Sequence, residues 1–194
     1  MSDDTSSVSA LRATAHPVRL RILSLLTASS LSAAEIAREL DLTHANASYH
    51  LRVLADAGAV VEAGEEKIRG GVAKRYRHQW DEYRTQPTGG GTSAGPADGQ
   101  AYVRAIADEL VRRFGQRAPR TPAIATDADL WVTPTVWDEV RSLVERASTL
   151  LHAEAQPPRA DGTLHVNLTA AAFQLEQSPM RPDPRRVEPE VTAR

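Results

Sequence analysis

Apolar residues recur at helical spacing near the start of the chain and predict two helices. The first begins at Pro17, since proline suits the first position of a helix, and its inward face is formed by Leu20, Leu23 and Leu26, widened by Ile22 and Leu25. The second, AAEIAREL, follows Ser32 and Glu35 at the spacing of a capping box. Its buried face is predicted to consist of Ile36, Ala37 and Leu40.

A third helix, capped by Thr43 and ended by Gly58, has two chemically different sides. Its core side is predicted to hold Ala47, Leu51 and Leu54. The opposite side and its flanks carry Ala45, Tyr49, Arg52, His44, Asn46 and Ser48. This second side can reach a polar partner outside the fold.

Two short strands are predicted next, at residues 59–63 and 73–78, with GEEKIRGG between them as a loop. The segment from Lys67 to Trp80 contains no acidic residue. Its basic residues and histidine are Lys67, Arg69, Lys74, Arg75, Arg77 and His78. The pattern therefore predicts a β-hairpin that carries positive charge.

The composition changes to Gly, Ser, Thr and Pro over residues 85–99, which predicts a flexible linker. We expect residues 1–84 to form one domain and residues 100–176 a C-terminal region with a dimerisation or effector role. The tail, 177–194, has four prolines and few apolar residues, and is predicted to be disordered.

Within the C-terminal region, a helix is predicted from 100 to 114 and a longer one from Thr133 and Pro134 to about residue 155, stopped by two prolines. The apolar face of the longer helix is Val136, Val140, Leu143, Ala147 and Leu150, with Trp137, Val144 and Leu151 alongside. Segments 130–132 and 164–168 are predicted to be strands that pair and pack across it.

Composition limits the class of protein. Hydrophobic residues make up 41% and charged residues 25% of the 194, which is typical of a globular chain. The acidic, polar N-terminus is not a secretory signal, and the chain has no cysteine. We expect a cytoplasmic protein. The net charge is −2, and residues 1–84 hold 11 basic against 11 acidic residues, so only a local basic patch could attract nucleic acid.

The order of capped helix, tight connection, capped helix and hairpin is that of a winged helix-turn-helix, in a mainly α fold with a small β component (α+β). A 15-residue helix is roughly 22 Å long, and the major groove of DNA, about 12 Å wide, admits one. The sequence therefore predicts contacts with double-stranded DNA. The predicted DNA-contacting residues are Thr43, His44, Ala45, Asn46, Ser48, Tyr49, Arg52, Arg69, Lys74, Arg75 and Arg77.

Three motifs resemble the ArsR-type winged helix regulators, in a longer subgroup with an added C-terminal region. They are HPVRLRIL at 16–23, LSAAEIA at 31–37, and Thr43, Ser48, His50, Leu51, Leu54, Ala57 and Gly58 at their spacing. The resemblance covers about residues 6–80. It implies a bacterial homodimeric transcription factor, usually a repressor, on a near-palindromic operator, acting at the nucleoid. It also implies that the N-terminal helix and the helix after the wing build the dimer interface.

A dimer interface is predicted on apolar positions of those two helices. These are Val8, Leu11, Val103, Ala107, Leu110 and Phe114. One reading helix covers only a few base pairs, so specificity calls for two half-sites about one turn apart. Packing of the same stripe within the chain is an equal alternative.

The chain departs from the metal-sensing members of that family. Without cysteine it has no thiolate ligand, and its six histidines show no ligand spacing, so we expect neither metal nor cofactor. No nucleophile elbow or phosphate-cradling loop points to an enzyme. Two alternatives stay open: a winged domain that binds protein, and a regulator whose small-molecule effector lies among Trp131, Trp137 and Phe173.

Overall fold

Helices and short strands alternate in the order expected of a winged helix-turn-helix. The computed structural model describes residues 11–68, 71–78 and 96–176. After a helical turn at 11–14, its elements are α1 Pro17–Leu26, β1 Leu31–Ser32, α2 Ala33–Leu40, α3 His44–Asp56, β2 Val60–Ile68, β3 Gly71–His78, α4 Pro96–Phe114 and α5 Pro134–Ala153. The α+β class is confirmed.

Side chains cap the first three helices, as the sequence predicts for α2 and α3. The backbone N–H of Ser32 donates to Glu35 at 2.8 Å and that of Glu35 donates back to the Ser32 hydroxyl at 3.4 Å, a complete capping box. Thr43 accepts an N–H of α3 at 3.2 Å. His16, not anticipated as a cap, accepts the N–H of Val18 at 3.1 Å through Nδ1.

The apolar sides of α1, α2 and α3 meet in one core with the start of β2. Its buried members are Ile22, Leu23, Leu26, Ile36, Ala37, Leu40, Ala47, Leu51, Leu54, Ala59 and Val60. Every predicted inward residue of α2 and α3 is among them. On α1 the prediction gave the buried side the wrong central residues. Ile22 is fully buried, whereas Leu20 is half-buried. α1 is contacted by α2, α3 and α4, so a single stripe does not define its buried side.

The hairpin is longer than predicted, and its predicted loop, residues 64–71, was wrong over residues 64–68 and at Gly71. β2 continues to Ile68 through a bulge between Glu62 and Gly64, where Gly64 has a φ of +136°. A glycine at a bulge lets a strand continue where the sequence pattern suggests a stop. Arg69 lies outside the described residues.

A third strand was missed by the sequence analysis. β1 pairs antiparallel with β3, with Leu31 opposite Tyr76, and gives the sheet the order β1-β3-β2. β1 leads directly into the capping residue of α2. The sheet therefore joins the hairpin to the helices by backbone hydrogen bonds.

Arg75 reinforces this junction. Its guanidinium donates to the backbone carbonyl of Ser30, pairs with Glu35 at 3.1 Å and also pairs with Glu66. Burial raises the pKa of Glu35, but hydrogen bonds from Ser32 and Arg75 outweigh it, so that this pKa lies below its ordinary value. Arg75 thus holds the hairpin against the start of α2 instead of standing free.

The first helix after the hairpin packs on the winged domain. α4 begins at Pro96, so four residues of the predicted linker are helical. Its inner side, with Ala105 and Glu109 buried, lies against α1, and Asp98 pairs with Arg12 at 2.8 Å. Glu109 is neutralised by Arg112 at 2.7 Å and Arg113 at 3.2 Å.

The remainder of the C-terminal region is less compact than predicted. Thr133 caps α5 as expected, but α5 has no buried residue. Segments 130–132 and 164–168 are not strands, so the predicted pairing across α5 was wrong. Alternation of apolar residues is not sufficient for a strand, because the pattern does not specify a pairing partner. The tail at 177–194 lies outside the described residues.

Among the described residues, none of the helices combines the length and apolar character that crossing a bilayer requires.

We predict that Arg75→Ala lowers the free energy of unfolding by about 1–3 kcal/mol, because it removes charge-assisted hydrogen bonds at a partly buried junction. Urea unfolding followed by circular dichroism measures this. Arg77→Ala is the matched control, since the Arg77 side chain is exposed on the same strand, and it should change stability by less than about 0.5 kcal/mol. Equal losses in the two variants would contradict the anchoring role of Arg75.

Candidate nucleic-acid interface

One side of α3 is fixed in the core and the other is open. Ala47, Leu51 and Leu54 are at most 1% exposed, whereas Tyr49, on the opposite side, is 55% exposed. The other predicted contacts on this helix are exposed at His44, Ala45, Asn46 and Arg52 and half-buried at Ser48. With 13 residues, α3 is about 20 Å long. The structure thus leaves a polar helix face accessible along its whole length.

The connection between α2 and α3 sets the direction of the open face. Asp41 adopts a left-handed conformation at φ +54°, and the N–H of Leu42 returns to the carbonyl of Ala37 at 2.8 Å. Arg21 on α1 donates to the carbonyl of Leu40 at 3.2 Å. These bonds satisfy the carbonyls of Ala37 and Leu40 at the end of α2 and hold the turn that leads into α3.

The predicted basic residues of the hairpin differ in their availability. Arg77 is exposed and, like Arg52 on α3, has no ion pair with any described residue. Lys74 pairs with Glu62 at 2.7 Å, with both side chains about half exposed. Arg75 is held in the internal contacts described above. The open cations at this surface are therefore fewer than the sequence indicates.

The source of this difference is the acidic partner strand. Glu62 and Glu66, both on β2, neutralise Lys74 and Arg75 on β3. Glu65 is aligned directly opposite Lys74. Counting charges along one strand misses carboxylates that pairing brings alongside. A register prediction for the hairpin would have placed them there.

His50 connects α3 to the start of α1. It is 5% exposed, its ring centroid is 4.8 Å from that of His16, and Tyr49 meets it edge-on at 5.3 Å. Burial, followed by the nearby Arg19, lowers the pKa of His16; burial, then His16 and Arg19, lowers that of His50. Nδ1 of His50 has no hydrogen-bond partner among the described residues. His50 therefore packs the helix rather than presenting itself to a partner.

The predicted dimer stripe on α4 faces solvent. Val103 is 50%, Leu110 41% and Phe114 62% exposed, and Ala107 is exposed too. The contact of α4 with α1 instead uses the side that carries Ala105. Leu11 is 7% exposed and belongs to the interior, and Val8 lies outside the described residues.

The aromatic residues considered for an effector site do not enclose one. Trp131 is 84% and Phe173 65% exposed, and Trp137 is partly covered on α5. Within the described ranges there is also no group of three histidine or carboxylate side chains arranged to hold a metal ion.

Comparison with known families matches residues 14–63 to the family described as Helix-turn-helix domain. The match spans α1, α2, α3 and the beginning of β2. Curated proteins yield no match to the chain. The chain therefore carries a helix-turn-helix DNA-binding domain, of the kind used in transcription regulation, and α3 is the second helix of that motif.

We predict that stability falls as the pH drops below about 6.5. The folded pKa values of His16 and His50 lie below the ordinary value of about 6.5, so in this window the unfolded chain binds more protons than the folded one. Each such proton contributes at most about 1.4 kcal/mol per pH unit. Protonation of His16 at Nδ1 would also remove the acceptor that caps α1.

The measurement is the free energy of unfolding between pH 5 and 8. His50→Gln should give a shallower decline below pH 6.5 than the unaltered chain, while His44→Gln, at an exposed position of the same helix, should not. In the His50 variant, His16 and also His78, whose pKa is likewise lowered chiefly by burial, continue to contribute to the slope. An identical slope in the His50 variant would exclude this histidine as a source.

Proposed function

We propose that the chain is a sequence-specific regulator of transcription that inserts α3 into the major groove of double-stranded DNA and lays the β2–β3 hairpin on the adjacent backbone. The observation that carries the proposal is the division of α3 into a buried apolar side and an open polar side, within a helix-turn-helix domain. A recognition helix needs this division, because one side holds it while the other meets base edges.

The chemistry of the open side assigns roles to its residues. The Asn46 amide can donate to and accept from adenine in a bidentate contact, and Tyr49 and His44 offer further donors and acceptors. Small side chains at Ala45 and Ser48 allow close approach to the bases. Arg52, one turn beyond Ser48, suits a phosphate contact.

The hairpin supplies backbone contacts. Arg77 is open for a phosphate, and Arg69, outside the described residues, remains a predicted contact. Lys74 can exchange its half-exposed pairing with Glu62 for a phosphate, since ion pairs at the surface contribute little to stability. Arg75 was predicted to contact DNA, but we assign it a structural role because its guanidinium is already bonded within the chain.

We further propose that the regulator acts as a homodimer of the ArsR type at the nucleoid, most simply as a repressor, on a near-palindromic operator. The apolar stripe of α4, which is exposed and not used in packing against α1, supports a role in pairing two copies. Two α3 helices then read two half-sites.

A second candidate is a winged domain that binds protein. It is favoured by charge, since residues 1–84 hold 11 basic against 11 acidic residues and two of the hairpin cations are neutralised. An effector-responsive regulator also remains a candidate, although the exposed aromatics give it no pocket.

We predict a steep salt dependence of DNA binding. If each subunit neutralises three or four phosphates, the plot of log affinity against log salt for a dimer has a slope of about −5 to −7. Fluorescence anisotropy on a duplex selected from a random pool measures it. A slope near zero would favour the protein-binding candidate instead.

Substitutions should separate positioning from base reading. Arg77→Ala is expected to weaken binding to selected and random duplexes alike and to reduce the magnitude of the slope by about 2, one phosphate per subunit. Asn46→Ala and Tyr49→Ala should instead change the ratio of the two affinities, by about tenfold per lost base contact. If the Tyr49 variant lost equal affinity for both duplexes, Tyr49 would not read bases.

A further inference from the structure

One side of α5 carries a row of apolar residues, here called the seam, that is exposed to solvent. Val136, Val140, Leu143, Ala147 and Leu150 follow one another at intervals of four, three, four and three residues. This spacing is that of the core positions of a coiled coil, which place apolar side chains against another helix. Yet Val136 is 44%, Val140 41%, Leu143 55% and Leu150 63% exposed.

The side of α5 that is partly covered by its own chain is a different one. Trp137, Val144, Ser148 and His152 are half-buried there, and no residue of the helix is fully buried. The seam therefore adjoins the covered side but is itself left open.

The part of the chain that contains the seam exposes a large apolar area in total. Between Ile124 and Leu175, fourteen large apolar side chains are at least 40% exposed. At roughly 100 Å² each they hold on the order of 1,400 Å², more than the ~800 Å² per partner of a standard interface and the ~300–600 Å² of the largest patch on a typical monomer. Such a surface is expected to be covered.

The segments outside the described residues are too poor in apolar side chains to cover it. They contain seven large apolar side chains, half as many as the surface exposes. These seven are Met1, Val8, Trp80, Tyr83, Met180, Val187 and Val191. DNA and anionic lipid are also unsuited, because residues 117–176 hold five arginines and eight carboxylates, a net charge of −3.

The flank of the seam points to a second copy in a defined orientation. Glu139 and Arg146 both lie on the same edge of the seam, one heptad apart, are exposed, and have no ion pair within the described chain. In an antiparallel pair this edge meets its own copy, so Glu139 faces Arg146 of the partner subunit, and the reciprocal pair forms by symmetry. In a parallel pair the same edge would meet the apolar edge of Trp137 and Val144.

We propose that α5 pairs antiparallel with α5 of a second copy, with Val140 against Leu143 of the partner subunit and Val136 against the partner's Ala147. The two-fold axis passes near the middle of the seam. The inference deepens the homodimer of the proposed function by adding a self-association surface separate from the α4 stripe, and it can be tested without DNA.

Cysteine cross-linking tests the orientation, because the chain has no cysteine of its own. The double variant Val136→Cys with Ala147→Cys should form intermolecular disulfides on mild oxidation. Val136→Cys alone should not, since the antiparallel arrangement separates the two copies of that position by about 16 Å, beyond disulfide reach. Efficient cross-linking of the single variant would show a parallel pair and overturn the proposed orientation.

Charge reversal tests the flank by sedimentation equilibrium. Glu139→Arg alone and Arg146→Glu alone each create two like-charge contacts per dimer and should weaken association roughly five- to tenfold at low salt. Combining them exchanges the charges and should restore association to within about threefold. Arg141→Glu, on the outer side of α5 beside Asp138 and Glu145, is the matched control and should leave association unchanged.

The outcomes separate this inference from the proposed function. A dimer that is indifferent to all α5 variants but dissociates with Phe114→Asp would overturn the α5 pairing and leave the α4 interface intact. A chain that stays monomeric at every concentration would overturn both interfaces. Recovery of a selected duplex bears on the DNA-binding role alone.

Discussion

Burial of one side of α3 is the constraint on which the rest of the structure depends. Leu51 and Leu54 fill the space between α1 and α2, where Ile22 and Ile36 are fully buried. Rotating α3 by half a turn would place Tyr49 and Arg52 in this core and expose both leucines. Each buried leucine contributes on the order of 2 kcal/mol by leaving water. The apolar side of the helix therefore determines which polar residues stay open to a partner.

The hairpin is positioned by a different kind of interaction. Its strands extend beyond the core, so burial alone does not fix their angle to α3. The pairing of β1 with β3 and the contacts of Arg75 with Ser30 and Glu35 tie the hairpin to the start of α2. This leaves Arg77 on the same strand open. Arg75 and Arg77 look equivalent in the sequence, but Arg75 stabilises the fold whereas Arg77 is available to a ligand.

The sequence was sufficient to predict the structure where local rules and burial agree. The capping box at Ser32, the Thr43 cap and the buried side of α3 are set by residues within one or two turns, and they were predicted correctly. It was insufficient where partners are distant along the chain. β1 pairs with a strand some 45 residues later, and Glu62 neutralises Lys74 only through the hairpin register. The prediction of strands at 130–132 and 164–168 was wrong because an alternating pattern does not specify the strand with which a segment pairs.

α1 connects the open face of α3 to the helix proposed to carry the dimer stripe. His50 of α3 packs against His16 at the start of α1, while α4 packs along α1 and is also tied by the ion pair of Arg12 with Asp98. Both contacts rest on one short helix whose core residues Ile22 and Leu26 are fully buried. The angle between α3 and the α4 stripe is therefore fixed by close packing instead of by a linker. In the homodimer that we propose, that angle would set the distance between the two α3 helices, and hence the spacing of the half-sites that they would read together.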